Sequence, residues 1–205
     1  KETVIMAENA ESGFRTAIIG LGIIGGSLAY ALRGFREGKI IGCDPDTHTL
    51  ALARKNKAVH EVYTDPREAV KNADLVVLCV YPDLLEKIVK ECAPYFKKGA
   101  VLTDVCGVKE QVCRQMAAQV PDGVDYVGGH PMAGKEVSGF ENASPELFWM
   151  SGYIVTPLPG SRPESVELVK EMARYVGATR IAENTPAEHD AIIAYTSDLM
   201  HISAS

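Results

Sequence analysis

Short apolar runs alternate along the chain with stretches in which apolar residues recur every three or four positions. The run Asp74–Val80 is apolar on both faces, which is typical of a central parallel strand covered by helices. In the next stretch, Leu84, Leu85, Ile88 and Val89 fall on one face of a helix. This alternation predicts an α/β fold with a doubly wound, mostly parallel sheet extended by added strands.

The same periodicities predict the remaining elements. Strands are predicted at 17–19, 39–43, 100–105, 125–129, 153–156 and 180–182, and helices at 84–92, 108–120 and 166–176. Thr185 and Glu188 form a capping box around Pro186, so a further helix begins there and continues without a stop signal. Residues 1–183 are therefore predicted to form one domain. Residues 184–205 would be the first helix of an all-helical domain whose remainder is expected outside this sequence.

A glycine-rich turn connects the first predicted strand to the helix that follows it. Gly20, Gly22 and Gly25 have the spacing Gly-x-Gly-x-x-Gly. The first glycine allows a tight turn, the second lets the backbone approach a pyrophosphate, and the third lets the helix pack close to the strand. The N–H groups at the helix start would bind the phosphates. The sequence thus predicts a Rossmann-type dinucleotide-binding domain. The predicted cofactor contacts in this turn are Gly20, Leu21, Gly22, Ile23, Ile24 and Gly25.

Asp44 indicates which dinucleotide is bound. It ends the second predicted strand, and a carboxylate roughly 20 residues beyond the glycines can hold both hydroxyls of an adenosine ribose. The same carboxylate would repel a 2′-phosphate, and Pro45, Asp46 and Thr47 supply no cation to bind one. NAD is therefore predicted in preference to NADP. FAD needs further binding segments that we do not find in the sequence.

The composition is that of an enzyme with a sizeable core. The chain has 205 residues, of which 46% are hydrophobic, and a net charge of −6, which argues against binding to nucleic acid or to an anionic membrane. No apolar run has transmembrane length. The five cysteines are odd in number and form no CxxC pair, which predicts reduced thiols in a cytoplasmic protein. Cys106 and Cys113 with His130 match no zinc spacing, so no metal is expected.

Ligands of open α/β sheets bind beyond the carboxyl ends of the strands. Val80, Tyr81 and Cys106 follow two such ends and are expected to contact the cofactor. His130 follows two glycines and precedes a proline at a third strand end, opposite the expected nicotinamide. Neutral imidazole can take the proton of an alcohol while a hydride leaves the same carbon, so His130 is the candidate base.

Four sequence blocks carry a family resemblance. They are Gly-Leu-Gly-Ile-Ile-Gly-Gly-Ser-Leu-Ala (20–29), Asp-Val-Cys-Gly-Val-Lys (104–109), Gly-Gly-His-Pro-Met-Ala-Gly-Lys-Glu-x-Ser-Gly (128–139), and Glu-His-Asp (188–190) followed by Ser-Asp-Leu-Met-His (197–201). In this order they resemble the prephenate/arogenate dehydrogenases of tyrosine biosynthesis. The resemblance implies an NAD-dependent oxidative decarboxylation of prephenate to 4-hydroxyphenylpyruvate. It also implies a homodimer that forms through the helical domain.

The resemblance implies roles for individual residues as well. His130 would accept the hydrogen bond from the 4-hydroxyl of the substrate and assist its deprotonation. His201 would help to bind the substrate or tune the site. Gly107, Lys135 and Glu136 would border the substrate.

The chain also departs from the family pattern. Many members carry serine where this chain has Gly107, so a hydroxyl that would orient the histidine is absent. Asp198 replaces the first histidine of the frequent Ser-His-Leu-Pro-His block. His189 is interpreted as stabilising the start of the last helix or an interdomain contact. Lys109 is expected to be one of few cations at the cleft.

Three alternatives remain open at this point. The substrate could be arogenate, which has an amino group where prephenate has a keto group. The chain could belong to another Rossmann-type dehydrogenase with a helical partner domain, such as the hydroxyisobutyrate or phosphogluconate type, which usually relies on a lysine of the helical domain. A non-catalytic NAD sensor would keep the glycine turn and Asp44 but would have no use for His130.

Overall fold

The computed structural model describes the backbone of residues 13–203 and the side chains of residues 13–195. Eight strands lie in this part of the chain: β1 (Arg15–Ile19), β2 (Lys39–Cys43), β3 (Glu61–Tyr63), β4 (Leu75–Leu78), β5 (Val101–Asp104), β6 (Asp125–Met132), β7 (Gly152–Pro157) and β8 (Arg180–Glu183). The helices described are α1 (Ile23–Ala31), α2 (Thr47–Lys55), α3 (Pro66–Ala69), α4 (Pro82–Cys92), α5 (Glu110–Gln119), α6 (Pro163–Tyr175) and α7 (Pro186–Ser203).

All eight strands join in one sheet with the order β3-β2-β1-β4-β5-β6-β7-β8. Neighbouring strands are parallel except for β6 and β7, which are antiparallel. β2 and β3 are added on one side of β1, and β4 and the later strands are added on its other side. The strand order therefore reverses between β1 and β4, and sheets of this kind bind their ligands at such a switch point. The predicted fold, a doubly wound, mostly parallel sheet with added strands, is confirmed.

Successive residues of the central strands supply the hydrophobic cores on the two faces of the sheet. Leu75 and Val77 of β4 join a cluster with residues of α1, α2 and α6, whereas Val76 and Leu78 join a second cluster with residues of α3, α4 and α5. Side chains alternate between faces along a strand, so a strand covered on both sides must be apolar throughout. Burial on both faces therefore explains why the sequence of β4 is continuously apolar.

β6 is longer than its sequence pattern indicates. A strand was expected to end at Gly129, but β6 continues to Met132. Its first two residues pair with β5, and the residues from Val127 onwards pair with β7. Hydrogen bonds to a partner strand that is remote in sequence extend β6, and the residue pattern does not contain this information. His130 is therefore held in a strand and not in the loop after it.

The start of α7 is confirmed as a capping box. Thr185 Oγ1 accepts the N–H of Glu188 at 3.3 Å, and Glu188 Oε2 accepts the N–H of Thr185 at 2.8 Å. Two polar groups at the helix terminus thus satisfy each other. Within the described part of the chain, no helix is both long and apolar enough to cross a membrane.

Candidate active site

The glycine turn is shaped by steric contact between β1, α1 and the end of β4. Gly20 has a φ of +92°, and a Cβ there would lie 2.4 Å from the carbonyl oxygen of Cys79. A Cβ at Gly25 would lie 1.9 Å from the carbonyl oxygen of Gly20. Because these contacts are with backbone, a side chain at either position would push the turn and the helix apart. The turn and the close packing that were predicted at these two glycines are both present.

Gly22 occupies a different environment. It is the N-cap residue of α1, no side chain caps this end of the helix, and a Cβ at Gly22 would meet no atom within 4 Å. The first N–H groups of a helix have no partner inside the helix, and they carry its positive dipole end. The space in front of Gly22 therefore suits an anionic group such as a pyrophosphate. Ile23 and Ile24, in the first turn of α1, are half-buried beside this space.

Asp44 lies against the glycine turn. Its Oδ2 accepts the N–H of Leu21 at 2.8 Å, and its Oδ1 accepts the N–H of Asp46 at 2.9 Å. The carboxylate is thereby fixed at the carboxyl end of β2, beside the position expected for a ribose. Each carboxylate oxygen has a further lone pair, so hydrogen bonds to hydroxyl groups remain available.

Val80, Tyr81 and Cys106 follow the ends of β4 and β5. The Sγ of Cys106 lies 3.7 Å from the carbonyl oxygen of Val80, and Tyr81 is 76% exposed at the start of α4. Val80 also contacts the glycine turn, since its Cγ1 lies 3.0 Å from where a Cβ at Gly20 would be. Burial raises the pKa of the Cys106 thiol to about 12, and the charge of Asp104 adds to this effect. The thiol is therefore neutral near pH 7.

His130 emerges where β6 extends beyond the end of β5. The Nδ1 atom of His130 lies 2.8 Å from the Nε2 atom of His189 in the first turns of α7. The Nδ1 atom of His189 lies 2.7 Å from the Oδ1 atom of Asp190. The three side chains therefore form a hydrogen-bonded chain, and His189, at its centre, is 0% exposed.

Of the two roles that the sequence suggested for His189, this arrangement fits the interdomain contact, because the ring joins α7 to a strand of the domain predicted for residues 1–183. The residue that it contacts is the candidate base, which the sequence analysis did not anticipate. One signal in the sequence could have indicated this. The Glu-His-Asp block places a histidine in the first turns of a helix, and a histidine that becomes buried there needs a hydrogen-bond partner for its ring nitrogens.

Asp190 also fixes α7 to the beginning of α5. Its Oδ1 accepts the N–H of Lys109 at 2.8 Å, and its Oδ2 accepts the N–H of Glu110 at 2.9 Å. Burial by itself would raise the pKa of Asp190, but the hydrogen bonds from Glu110, His189 and Lys109 lower it overall. Asp190 is thus an ionised carboxylate that can only accept hydrogen bonds.

Lys109 is not a cation at the cleft, and this expectation was wrong. Its Nζ lies 2.5 Å from Asp104 Oδ2, and both side chains are 0% exposed. Asp104 also accepts the hydroxyl of Tyr126 at 2.7 Å and the N–H of Cys106 at 2.9 Å. The pair therefore connects β5, β6 and the loop before α5, and its charge is not available to a substrate.

The electrostatic surroundings keep His130 neutral. Burial is the largest cause and the charge of Lys109 acts in the same direction, so that the pKa of His130 falls to about 4. An imidazole with this pKa has a free lone pair at pH 7. A Cβ at Gly107 would lie 3.5 Å from His130 Nε2, and Gly107 itself is exposed. The Nε2 side of the ring therefore faces an open approach.

The structure gives less detail for the other predicted site residues. Lys135 and Glu136 are both exposed in the segment that follows β6. His201 belongs to α7, but its side chain lies outside the described residues, as does that of Asp198. Among the described residues, no group of three or more metal-ligating side chains is found.

Comparison with known proteins assigns the family. Residues 28–182 match the family model described as "Prephenate dehydrogenase, nucleotide-binding domain". The chain belongs to the prephenate dehydrogenase family. This membership does not favour the dehydrogenases of the hydroxyisobutyrate or phosphogluconate type.

Individual relatives agree with the family assignment. Prephenate dehydrogenase of Bacillus subtilis is 31% identical over 190 residues, which cover 92% of this chain and 51% of the relative. A solved structure of Aquifex aeolicus prephenate dehydrogenase in complex with hydroxyphenyl propionate and NAD⁺ is 26% identical with a TM-score of 0.80, covering 94% of this chain and 71% of that chain. The solved structure of Synechocystis arogenate dehydrogenase is 29% identical with a TM-score of 0.80, and the match covers 90% of this chain and 64% of that chain. The chain thus spans about half the length of the Bacillus subtilis relative.

Proposed function

We propose that this chain is the nucleotide-binding part of an NAD-dependent dehydrogenase that oxidises and decarboxylates prephenate. One observation carries the proposal. In a chain of the prephenate dehydrogenase family, a neutral, half-buried imidazole, His130, lies on the strand that extends past the switch-point edge of the sheet. The glycine turn that suits a dinucleotide opens at the same edge.

The cofactor site would be formed by the glycine turn, Asp44 and the strand ends. The open space at Gly22 would take the pyrophosphate, and Asp44 would bind the ribose hydroxyls. Val80, Tyr81 and Cys106 would lie along the nicotinamide half. The NAD⁺ bound in the Aquifex aeolicus structure supports this assignment. NAD is preferred to NADP, because a 2′-phosphate would approach the Asp44 carboxylate.

When bound, NAD supplies the acceptor for the hydride that leaves the ring carbon bearing the 4-hydroxyl. His130 takes the proton of that hydroxyl, so that the carbon–oxygen bond can become a carbonyl. The ring carboxylate then leaves as CO₂, and the electron pair of the broken carbon–carbon bond makes the ring aromatic. The proton returns from His130 to the oxygen, which restores the base.

The substrate side of the site would be completed by residues of the loop after β5, the segment after β6, and α7. We assign this role to Gly107, Lys135, Glu136 and His201. Residues 184–205 would begin a second, helical domain through which the intact cytoplasmic enzyme dimerises. Two observations support this boundary: the family model ends at residue 182, and α7 exposes Ile192 by 42% and Tyr195 by 67%.

The test is turnover by the intact protein with prephenate or arogenate as substrate and with NAD or NADP. Prephenate with NAD should give the highest kcat/KM. A higher kcat/KM with arogenate would show that arogenate is the substrate of the same reaction. His130→Asn should lower kcat by roughly 10²–10⁴-fold, the usual contribution of a general base, while NAD affinity stays nearly unchanged.

His60→Gln is the matched control, because His60 is exposed and lies outside the site. Normal turnover by the His130→Asn protein would exclude His130 as the base. NAD binding without turnover of either substrate by the wild-type protein would favour the sensor function.

A further inference from the structure

We propose that His189 is a positioning residue for His130. Anchored by Asp190, it would hold the ring of His130 in the one neutral tautomer whose Nε2 atom can accept a proton. This inference rests on the proposed function, because it specifies how the base of that reaction is prepared.

The direction of each hydrogen bond follows from the end of the chain at Asp190. An ionised carboxylate only accepts, so the Nδ1 atom of His189, 2.7 Å from Asp190 Oδ1, must carry the proton of that bond. The Nε2 atom of a neutral His189 then has a lone pair. His130 Nδ1, which lies 2.8 Å from this lone pair, must donate its own proton. The Nε2 atom of His130 is therefore left without a proton.

This tautomer is the productive one because of where the ring points. The Nε2 atom of His130 faces the exposed Gly107, at which a Cβ would lie 3.5 Å away. A substrate hydroxyl can approach from that side, and no side chain at position 107 orients the ring. In solution, neutral histidine prefers its proton on Nε2, which would block the base. The contact with His189 is thus what selects the less common form.

The anchor of the chain is rigid. Asp190 is held by the backbone N–H groups of Lys109 and Glu110 at 2.8 and 2.9 Å, and His189 is completely buried. The direction of the hydrogen bonds is therefore set by backbone geometry. When His130 takes up a proton, the charge of Asp190 stabilises the resulting cation.

Two substitutions at position 189 separate positioning from packing. His189→Leu fills a similar volume but removes the acceptor, and it should lower kcat by roughly 10²–10⁴-fold, as expected for a base in the wrong tautomer. The KM values for prephenate and NAD should change by less than about threefold. His189→Gln places an amide oxygen near the original Nε2 position, and it should recover at least about tenfold of that loss. His60→Gln is the control.

The proposal would be overturned if the kcat of His189→Gln were no higher than that of His189→Leu. A normal kcat in both variants would also overturn it. A second measurement does not depend on activity. ¹⁵N NMR of the histidine rings in the wild-type protein should show His130 protonated at Nδ1 and not at Nε2. The opposite tautomer would overturn the proposal even if His189→Leu fails to fold. If the protein turns over neither substrate, the proposed function fails, but the NMR result still decides the tautomer.

Discussion

At the scale of single residues, the basicity of His130 is controlled by its surroundings. Burial lowers its pKa most, and the charge of Lys109 acts in the same direction. Asp104 and Asp190 act in the opposite direction but do not outweigh them, so the pKa falls to about 4. The imidazole of His130 therefore stays unprotonated well below neutral pH, and its proton affinity is weaker than that of a free histidine.

This shift predicts how the protein responds to acid. The unfolded chain binds a proton at this histidine below about pH 6.5, whereas the folded chain binds it only near pH 4. Because the unfolded state takes up more protons between these values, the free energy of unfolding should decrease as the pH falls through that window. Between pH 7 and pH 5 the loss from this residue should be on the order of 1–2 kcal/mol, given that the ring is partly exposed.

Urea unfolding of the wild-type protein and of His130→Asn at both pH values measures this contribution. The variant should lose less stability than the wild type, and an equal loss would show that the pKa of His130 is not lowered. In the same way, the acid limb of kcat/KM should lie nearer pH 4 than pH 6.5.

At the scale of elements, the turn between β1 and α1 combines two kinds of glycine. Gly20 and Gly25 are required by backbone contacts within the fold, whereas Gly22 faces open space at the start of the helix. The sequence motif has glycine at all three positions and does not distinguish between these two requirements. Their environments indicate that the first two serve folding and that the third serves a ligand.

Alanine substitutions should separate these roles. Gly25→Ala places a Cβ 1.9 Å from a backbone oxygen, so it should lower the free energy of unfolding by about 1–3 kcal/mol or more. Gly22→Ala should lower Tm far less than Gly25→Ala, since it changes only the N-cap residue of α1. It should weaken NAD binding by roughly tenfold, or about 1.4 kcal/mol, because its methyl group occupies the space proposed for the pyrophosphate.

Gly13→Ala is the control for Gly22→Ala, because its Cβ also meets no atom within 4 Å and it lies away from the turn. Thermal unfolding and an NAD titration are the two measurements. Unchanged NAD affinity in Gly22→Ala would place the cofactor elsewhere.

At the scale of the whole molecule, the buried pair of Asp104 and Lys109 lies where the parallel part of the sheet meets its antiparallel extension. Asp104 belongs to β5 and binds Tyr126 of β6, while the backbone N–H of Lys109 binds Asp190 of α7. A buried charge is tolerated only when it is paired, so this cluster holds the strand of His130 and the helix of His189 in one arrangement.

Removing one partner should therefore be costly. Lys109→Met leaves the Asp104 carboxylate buried without its cation and should lower the free energy of unfolding by about 3–5 kcal/mol. Adding Asp104→Asn to this variant should restore part of the loss. Lys71→Met is the control, because Lys71 forms an exposed ion pair with Glu68 and should change stability little. Urea unfolding of the four proteins decides the point, and equal stability of the Lys71→Met and Lys109→Met variants would refute it.

Much of the fold could be predicted from the sequence because its signals are local. The apolar runs of β1, β4 and β5 follow from burial on both faces, and the turn at Gly20–Gly25 follows from steric limits on a few consecutive residues. The capping box at Thr185 was also recognisable. The short elements α2, α3 and β3 were not predicted. β3 has only three residues, all half-buried, and α2 has a largely polar sequence, so neither has a strong hydrophobic period.

The candidate base could be predicted from the sequence, but its partners could not. His130 followed from its motif and from its place near a strand end. The contact with His189 joins residues that are 59 positions apart, and the burial of Lys109 depends on how β5, β6 and α7 pack together. A hydrogen bond between distant residues leaves no periodic trace in the chain. The sequence by itself therefore determined the type of fold and the candidate base. The tertiary structure alone decided which groups surround that base and which of its nitrogens faces the cleft, because both depend on distances that arise only when the elements pack.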